Sequence, residues 1–278
     1  MSEPERSEAS EVSEAGRPAD QPNSAKPGWL GRNLVELAEC ESTNDEAARL
    51  AAAGAEHGTV VVAAAQRRGR GRLGREWFSP PGESLTLSCV LRPAVAPDAL
   101  PPVTLAAGIA VAEAVAGAVP AVRVHWPNDL VVAGRKLAGL LTEMTTRGAR
   151  VEAAVLGVGV NVNVADFPAD LGRPATSLFL ETGRRHDLVA LRGELLARLE
   201  IWLERFFAEG MPAVAAGWRR WGGMAGVRVR VDLGGGQVLV GTAGGLAPDG
   251  GLEVSPDGGG PPVVVRAGDV TRLAADQR

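Results

Sequence analysis

The 278-residue chain has little of several residue types, and each shortage excludes a class of protein. Its two cysteines, Cys40 and Cys89, stand far apart in no metal-like spacing, so neither a disulfide framework nor a zinc site is expected. Its apolar stretch at residues 105–119 is interrupted by Glu113 and is too short and too weakly apolar to span a membrane. The net charge of −4 and the pI near 5.6 argue against a dedicated nucleic-acid-binding protein.

The first 28 residues contain no apolar segment, so they do not resemble a secretory signal. They are rich in Ser, Glu, Pro and Ala and offer almost nothing to bury. We therefore expect residues 1–28 to form a disordered tail. Together with two reduced cysteines, this indicates a cytoplasmic protein.

Lysine is almost absent, and tyrosine is absent altogether. Among the 29 Lys and Arg residues only Lys26 and Lys136 are lysines, and Lys26 lies in the predicted tail. The chain uses arginine wherever a plain positive charge suffices. A lysine kept at position 136 therefore indicates a need for a compact ammonium rather than a planar guanidinium.

Positive charge is concentrated in "QRRGRGRLGREW", residues 66–77, which holds five arginines and no acidic residue before Glu76. Its glycines at 69, 71 and 74 match G-x-G-x-x-G, but the prolines that follow forbid the helix a dinucleotide-binding fold requires. Because uncompensated arginines repel one another, we expect an anion such as phosphate to organise this loop. A solvated surface loop and an RNA-binding Arg/Gly segment are the alternatives.

Polar residues also stand near the ends of a predicted helix and strand. "ESTN", residues 41–44, predicts a helix N-terminus with Thr43 as the cap and Glu46 as its reciprocal partner. Gly54 is placed to follow the end of this helix. Gln66, a lone amide that ends the apolar run before the arginines, is expected to face whatever that loop covers.

The segment "HWPNDLVVAGRKLAGLL", residues 125–141, combines a predicted turn with the isolated lysine. Asn128 and Asp129 either hydrogen-bond their own backbone in this turn or face a ligand or a metal-bearing phosphate. "GVGVNVN", residues 157–163, places Asn161 at the end of a buried strand, where it either contacts a ligand or lies on a sheet edge.

The order of predicted elements indicates an α+β protein with two domains. The predicted strands cover residues 59–66, 83–91, 122–126, 137–145 and 151–164, and the predicted helices begin at 43, 101 and 187. The last of these helices is expected to end at Gly210. After residue 222, short strands alternate with Gly, Pro and Asp, as in a small β-barrel, so we place a boundary near residue 223.

In their order and spacing, these motifs resemble the biotin–protein ligases. The matching segments are "ESTN", then Gln66 followed by "GRGRLGREW", "WPNDL", "GRKLAGLL" and "GVGVNVN". The resemblance implies a catalytic domain over residues 29–222 with a fold like that of class II aminoacyl-tRNA synthetases, a mixed sheet with helices. It also implies an SH3-like β-barrel domain over residues 224–278.

Two features depart from the family pattern. The family usually has lysine immediately before "WPND", where this chain has His125, so no fixed positive charge is expected there. Some bacterial members carry an N-terminal winged-helix repressor domain, for which the polar tail is too short. We therefore expect a ligase without operator binding.

The resemblance implies ATP-dependent attachment of biotin to a lysine of the biotin carboxyl-carrier domain of an acyl-CoA carboxylase, through biotinyl-5′-AMP. Catalysis is then expected from positioning and charge compensation, with biotin as substrate and with ATP and Mg²⁺. Neither a nucleic-acid nor a membrane partner is expected. The alternatives are a lipoate–protein ligase-like adenylating enzyme and an RNA-binding module that uses the Arg/Gly loop.

The resemblance also assigns roles to the motif residues. The expected catalytic residues are Lys136 and Arg72. The expected biotin contacts are Ser42, Thr43, Asn44, Gln66, Arg70, Gly71, Arg72 and Lys136. The expected nucleotide contacts are Trp77, Asn128, Asp129 and Asn161, with Asp129 also the expected magnesium ligand. For Trp77, stacking on the adenine and packing in the core are both open.

Overall fold

A computed structural model describes residues 28–273 of the chain, so the predicted disorder of the tail concerns a segment outside the described residues, apart from Gly28. The helices are α1 (Thr43–Ala52), α2 (Val103–Val115), α3 (Leu178–Thr182), α4 (Leu188–Glu209) and α5 (Met211–Trp221). The strands are β1 (Leu34–Leu37), β2 (Val60–Ala63), β3 (Ser84–Leu91), β4 (Arg123–His125), β5 (Asp129–Val132), β6 (Arg135–Arg147), β7 (Arg150–Asn161), β8 (Arg228–Gly234), β9 (Gln237–Leu246), β10 (Leu252–Pro256), β11 (Val263–Val265) and β12 (Asp269–Arg272).

The first seven strands form one mixed sheet in the order β1-β2-β3-β7-β6-β5-β4. Strands β1 and β2 are parallel, and every other neighbouring pair in this sheet is antiparallel. The long strands β6 and β7 form the centre of the sheet and are joined by a tight hairpin. This arrangement confirms the predicted α+β class with a mixed sheet.

The two faces of this sheet differ in chemistry. Helices α2, α4 and α5 cover one face and share with it a large apolar core that includes Ile109, Leu199 and Val214. On the other face, α1 packs through Ala47 and Ala51 in a smaller apolar cluster. The second face is therefore only partly covered, and part of it is free to hold a ligand.

Alternation along β3 and β7 produces this difference, because successive side chains of a strand point to opposite faces. The residues of these two strands in the large core are Leu85, Leu87, Cys89, Leu91, Ala154, Leu156, Val158 and Val160. On the side of α1, Val90 and Val155 pack against the helix, and the residues that remain toward the cavity are small or polar: Ser84, Thr86, Ser88, Gly157, Gly159 and Asn161. They form a flat floor with little side-chain bulk.

Most predicted elements are present, with several local differences. The arginine run lies between β2 and β3, α4 ends at Gly210, and Gly54 follows α1 with a positive φ of 91°, as predicted. Ser42, not Thr43, caps α1: its side chain accepts a hydrogen bond from the backbone N–H of Asn44. Four elements of the first domain were not predicted: β1, β5 inside the expected turn at 127–136, α3, and α5 after Gly210.

The remaining five strands form a separate antiparallel sheet in the order β11-β10-β9-β8-β12. Its apolar residues, among them Val231 and Leu252, belong to the same core as the helices of the first sheet. The Trp126 indole N–H donates to the Gly250 carbonyl at 3.0 Å. The second sheet is therefore packed directly against the first domain.

The structure places the apolar stretch in a longer segment than expected, Pro97–Val115 with α2, which by length and composition alone could cross a membrane. In this fold 67% of that window is buried inside the protein. Its acidic residue Glu113 accepts a hydrogen bond from the Trp202 indole at 3.0 Å. The apolar surface of α2 thus packs in the core of the protein.

Candidate active site

A cavity of about 690 Å³ opens on the partly covered face of the first sheet, beside the N-terminus of α1. This volume lies within the range of small-molecule binding sites. All the residues predicted for the site line it: Ser42, Thr43, Asn44, Gln66, Arg70, Gly71, Arg72, Trp77, Asn128, Asp129, Lys136 and Asn161. Motifs that are far apart in the sequence therefore converge on a single site.

One half of this cavity, called here the head-group half, is a buried network of hydrogen bonds. The Gln66 side-chain oxygen accepts from the backbone N–H and the hydroxyl of Thr43, at 2.8 and 3.1 Å. The Ser88 hydroxyl lies 2.8 Å from the Thr43 hydroxyl and 2.6 Å from the Asn44 side-chain oxygen. Ser42, Thr43 and Asn44 are each less than 5% exposed. These groups hold one another in place without a ligand.

The capping of α1 explains why this network forms. Because Ser42 uses its hydroxyl as the cap, the side chains of Thr43 and Asn44 are left to enter the cavity. Glu46 makes no reciprocal capping bond and pairs with Arg49 instead, at 3.0 Å. The "ESTN" motif is therefore a cap and a cavity wall together.

The other half, called here the nucleotide half, is built around Trp77. Its indole lies on the glycine floor: a Cβ at Gly159 would come within 2.6 Å of the ring, and one at Gly139 within 3.0 Å. The indole nitrogen is buried and has no hydrogen-bond partner. The Lys136 ammonium lies 5.2 Å from the centre of the ring, in reach of a cation–π interaction.

Lys136 is held in an ion cluster at the base of this half. Its ammonium lies 2.7 Å from one oxygen of Asp129, and Arg173 lies 2.5 Å from the other. The Lys136 side chain is only 12% exposed, and burial lowers its pKa, an effect that the neighbouring Asp129 partly offsets. The cluster keeps a desolvated cation at the floor of the cavity, where an anionic ligand would meet it.

The geometry does not support the predicted magnesium site at Asp129. Both carboxylate oxygens are occupied by cations, and Lys136 and Arg173 would have to leave before a metal ion could bind. Among the described residues, no group of three His, Cys, Asp or Glu side chains is arranged to hold a metal. Asp129 acts here as the counter-ion of Lys136.

Two amides of the site bind the backbone. The Asn128 side chain donates to the Leu140 carbonyl at 2.7 Å, across the hairpin of β5 and β6. The Asn161 side chain donates to the Thr176 carbonyl at 3.0 Å, while its buried oxygen has no partner. Asn128 is therefore largely structural, whereas Asn161 still offers one acceptor atom.

The arginine loop, residues 66–77, is an ordered hairpin. Gly71 and Trp77 donate backbone hydrogen bonds to the carbonyls of Arg75 and Gly69, both at 2.7 Å. A Cβ at Gly69 would lie 2.6 Å from the Trp77 carbonyl, so the two arms approach closely only because this residue is glycine. At the tip, Leu73 is 71% exposed and has a φ of 57°, a strained value for a residue other than glycine.

The charge of this loop is compensated in part, because three of its five arginines pair with carboxylates, which its local sequence did not lead us to expect. Four of its arginines are bound by other parts of the chain. The partners are Glu39 and Glu41 for Arg67, Asp45 and Glu143 for Arg70, the side chain of Asn128 and the carbonyl of Gly268 for Arg72, and Asp269 for Arg75. Burial lowers the pKa of Arg72. Carboxylates from distant segments thus help to organise the loop, which weakens its interpretation as an open RNA-binding surface.

Comparison with known proteins agrees with the motifs. The model of the Biotin/lipoate A/B protein ligase family matches residues 37–161. A biotin–[acetyl-CoA-carboxylase] ligase of Mycobacterium tuberculosis is 39% identical over 265 residues, which cover 91% of this chain and 93% of that relative. The chain belongs to the biotin–protein ligase family.

Other relatives match a large part of the chain. The bifunctional ligase/repressor BirA of Bacillus spizizenii is 33% identical over 204 residues, which cover 72% of this chain. The match spans 63% of the length of that relative. In three dimensions the chain is similar to the biotin protein ligase from Aquifex aeolicus in complex with biotin and ATP, with a TM-score of 0.74 and 27% identity. The alignment covers 87% of this chain and all of that one.

Several site residues of this biotin–protein ligase family member were not found from the sequence. The loop after β7 places Phe167 and Arg173 at the cavity, with Phe167 6.1 Å from Phe78 between ring centres. Glu143 and Asp269 reach the arginine loop from β6 and from the second sheet. In sequence these residues stand in ordinary loop or strand contexts, and no local pattern marks them.

His125 occupies the position where the family usually has lysine. It lies partly buried beside Gly223, at the end of β4. Burial lowers its pKa, Arg272 lowers it further, and Asp129 acts in the opposite direction. Burial therefore disfavours the protonated form of this imidazole.

Proposed function

We propose that the protein attaches biotin to a lysine of a biotin carboxyl-carrier protein, using ATP and a biotinyl-5′-AMP intermediate. The observation that carries the proposal is the convergence of every motif residue on one cavity, with the isolated Lys136 at its base. The names of the relatives and the biotin and ATP bound in the Aquifex ligase support it.

The chemistry needs two displacement steps at the same site. In the first, a biotin carboxylate oxygen attacks the α-phosphorus of ATP and pyrophosphate leaves. In the second, the amine of the acceptor lysine attacks the acyl carbon of the mixed anhydride, AMP leaves with the bonding electrons, and the amine loses a proton. We assign Lys136 and Arg72 to the anionic oxygens of the first step, because both are desolvated cations at the cavity.

The two halves of the cavity fit the two ends of the intermediate. We assign Ser42, Thr43, Asn44 and Gln66 to the polar head group of biotin, since they form a fixed pattern of donors and acceptors. The biotin carboxylate then lies toward Arg70, Gly71, Arg72 and Lys136. The unpartnered indole N–H of Trp77 and the unpartnered oxygen of Asn161 suit an adenine, which offers both acceptors and an amine.

Magnesium is proposed to enter with ATP as its complex and to be carried by the phosphates. The protein side chains at the site do not fit a resident metal, because Asp129 is paired with Lys136 and Arg173. Asn128 and Asp129 then contribute to the nucleotide half indirectly, by holding Leu140 and Lys136.

The separate roles of the two domains are also part of the proposal. We assign residues 29–222 to a catalytic domain like that of class II aminoacyl-tRNA synthetases, and 224–278 to an SH3-like domain that helps to close the arginine loop. The support is the pairing of Arg75 with Asp269 and the contact of Arg72 with the Gly268 carbonyl.

A cytoplasmic location follows from the proposed acceptor, a subunit of an acyl-CoA carboxylase. Cys40 and Cys89 are both free thiols. Burial raises the pKa of Cys89 to about 12 and that of Cys40 to about 11, so both stay protonated and unreactive at neutral pH. No disulfide is needed to hold this fold together.

The proposed function is tested by following adenylate formation directly. The protein is incubated with MgATP and either biotin or lipoate, and pyrophosphate release and the retained acyl-adenylate are measured. With MgATP we expect pyrophosphate and a retained acyl-adenylate from biotin and not from lipoate, followed by transfer of biotin to a purified carrier domain. Lys136→Ala should form neither pyrophosphate nor adenylate. Adenylate formation from lipoate but not from biotin would replace this proposal with the lipoate ligase alternative.

A further inference from the structure

One carboxylate oxygen joins the head-group half of the cavity to the arginine loop. Glu143 Oε2 accepts a hydrogen bond from the Asn44 side-chain amide at 2.8 Å. The same oxygen lies 2.5 Å from the Arg70 guanidinium. Glu143 stands on β6, outside the sequence motifs, and neither contact was expected from the sequence.

The Asn44 end of this connection is fixed. Asn44 is 4% exposed, and its side-chain oxygen lies 2.6 Å from the Ser88 hydroxyl. It lies directly on Gly157, where a Cβ would come within 2.1 Å of the same oxygen. The amide therefore has little room to rotate or move away, and it presents its N–H to Glu143 in one orientation.

The Arg70 end belongs to the arginine loop. Arg70 pairs with Glu76 in an isolated bridge of the hairpin, and its guanidinium also lies 3.0 Å from Asp45. The side chain of Arg70 is 41% exposed, so an ion pair with either acid alone would hold the loop only weakly. Glu143 differs from Asp45 in one respect, namely that it also binds the buried Asn44.

We propose that Glu143 is a positioning residue that couples the head-group half to closure of the arginine loop. The inference rests on the proposed function, in which the biotin head group contacts Asn44. A ligand N–H donated to the Asn44 oxygen polarises the amide and strengthens its N–H bond to Glu143. A firmly held Glu143 in turn holds Arg70. By reciprocity, a closed loop raises the affinity for the head group by the same factor.

Trypsin measures this coupling, because the loop itself carries the cleavage sites. Cleavage within residues 66–77 is followed by mass spectrometry with and without saturating biotin, with cleavage after the exposed Arg147 as the internal reference. In the wild type we expect biotin alone to slow loop cleavage about fivefold or more, the lower end of common coupling factors. In Glu143→Gln, which retains an oxygen for Asn44 but loses the charge, biotin should still bind while protection falls to about twofold or less.

Asp45→Asn is the matched control, since it removes the other partner of Arg70 and leaves the Asn44 contact intact. It should keep the biotin-dependent protection. Glu143→Asp retains the charge but is too short to reach both partners, so it should lose the protection by biotin. This variant replaces Glu143→Gln in the test if Glu143→Gln does not fold. Wild-type protection in a folded Glu143 variant, or equal loss in Asp45→Asn, overturns the inference. Absence of biotin binding by the wild type would instead count against the proposed function.

Discussion

The two halves of the cavity differ in how many of their polar groups are satisfied. In the head-group half, Thr43, Asn44, Gln66 and Ser88 bond to one another, and all but the partly buried Gln66 are buried. In the nucleotide half, buried polar atoms stand without partners on Trp77 and Asn161. The first half is complete before any ligand arrives, whereas the second half is completed by one.

This difference has an energetic consequence. A preorganised network loses little entropy on binding, and a ligand that fits it gains the full benefit of its contacts. In the other half, a nucleotide must compete with Asp129 for Lys136, but it also satisfies atoms that are costly to leave buried and unpaired. We therefore expect mutations in the two halves to affect different substrates.

The largest effect is expected at Lys136, the buried cation of the nucleotide half. The space between the biotin carboxylate and the α-phosphate should admit a compact ammonium and exclude a planar guanidinium. Lys136→Arg should therefore cost nearly as much as Lys136→Ala, about 10²–10³ in the rate of adenylate formation. The measurement is steady-state pyrophosphate release, with circular dichroism melts to show that both variants fold.

The pH dependence sharpens this prediction. Burial lowers the pKa of Lys136, so the active ammonium should be lost at a pH below the ordinary lysine value of 10.5. As the pH is raised, the rate of adenylate formation by the wild type should therefore begin to fall below pH 10.5. An arginine variant that keeps more than about half the wild-type rate, against an expected loss of 10²–10³, would show that Lys136 is a generic charge.

The next effect separates the two halves directly. Gln66→Ala leaves the backbone N–H and hydroxyl of Thr43 without their acceptor, a loss of roughly 1–3 kcal/mol. It should weaken biotin binding about 5–150-fold and leave the KM for ATP unchanged. Asn161→Ala, measured at saturating biotin, should raise the KM for ATP and leave biotin affinity unchanged. Equal effects of both variants on both substrates would contradict the division into halves.

A smaller effect is expected at Asp269, which reaches the arginine loop from the second sheet. Its ion pair with Arg75 is partly exposed on both sides, so it contributes about 0.2–1 kcal/mol. Asp269→Asn should speed dissociation of the biotinyl-adenylate by about fivefold at most. Asp257→Asn, which alters an ion pair with Arg228 within the same sheet, is the matched control and should have no effect on dissociation.

Local sequence predicted those parts of the molecule that depend on local forces. Turn residues and apolar runs located β3, β7 and α4, and the "ESTN" motif located the start of α1 to within one residue. The short edge strand β1 carries no pattern of its own. Strand β5 was hidden because its sequence between Pro127 and Gly134 resembles a turn.

The same distinction holds at the site. The motif residues were predicted because their chemistry is unusual at their positions, as for Lys136 in an arginine-rich chain. Their counter-ions were not predicted, because the pairing depends on the folded chain. Arg70 and Glu143 are separated by 73 positions and Arg75 and Asp269 by 194, and nothing in the sequence joins them.

The smallest effect concerns His125 and the pH dependence of stability. Its pKa is lowered in the folded protein, chiefly by burial, so the unfolded chain binds its proton more readily. Its contribution to stability is complete above its ordinary pKa of 6.5 and is lost as the pH falls through the window below that value. His125→Gln should therefore reduce the drop in melting temperature between pH 7 and pH 5. The pKa values of His57 and His186 are also lowered by burial, so these residues should still cause part of the decrease in melting temperature in the variant. An unchanged drop in the variant would mean that His125 binds its proton equally well in the folded and unfolded chain, and the position would then be open to the positive charge that the family usually places there.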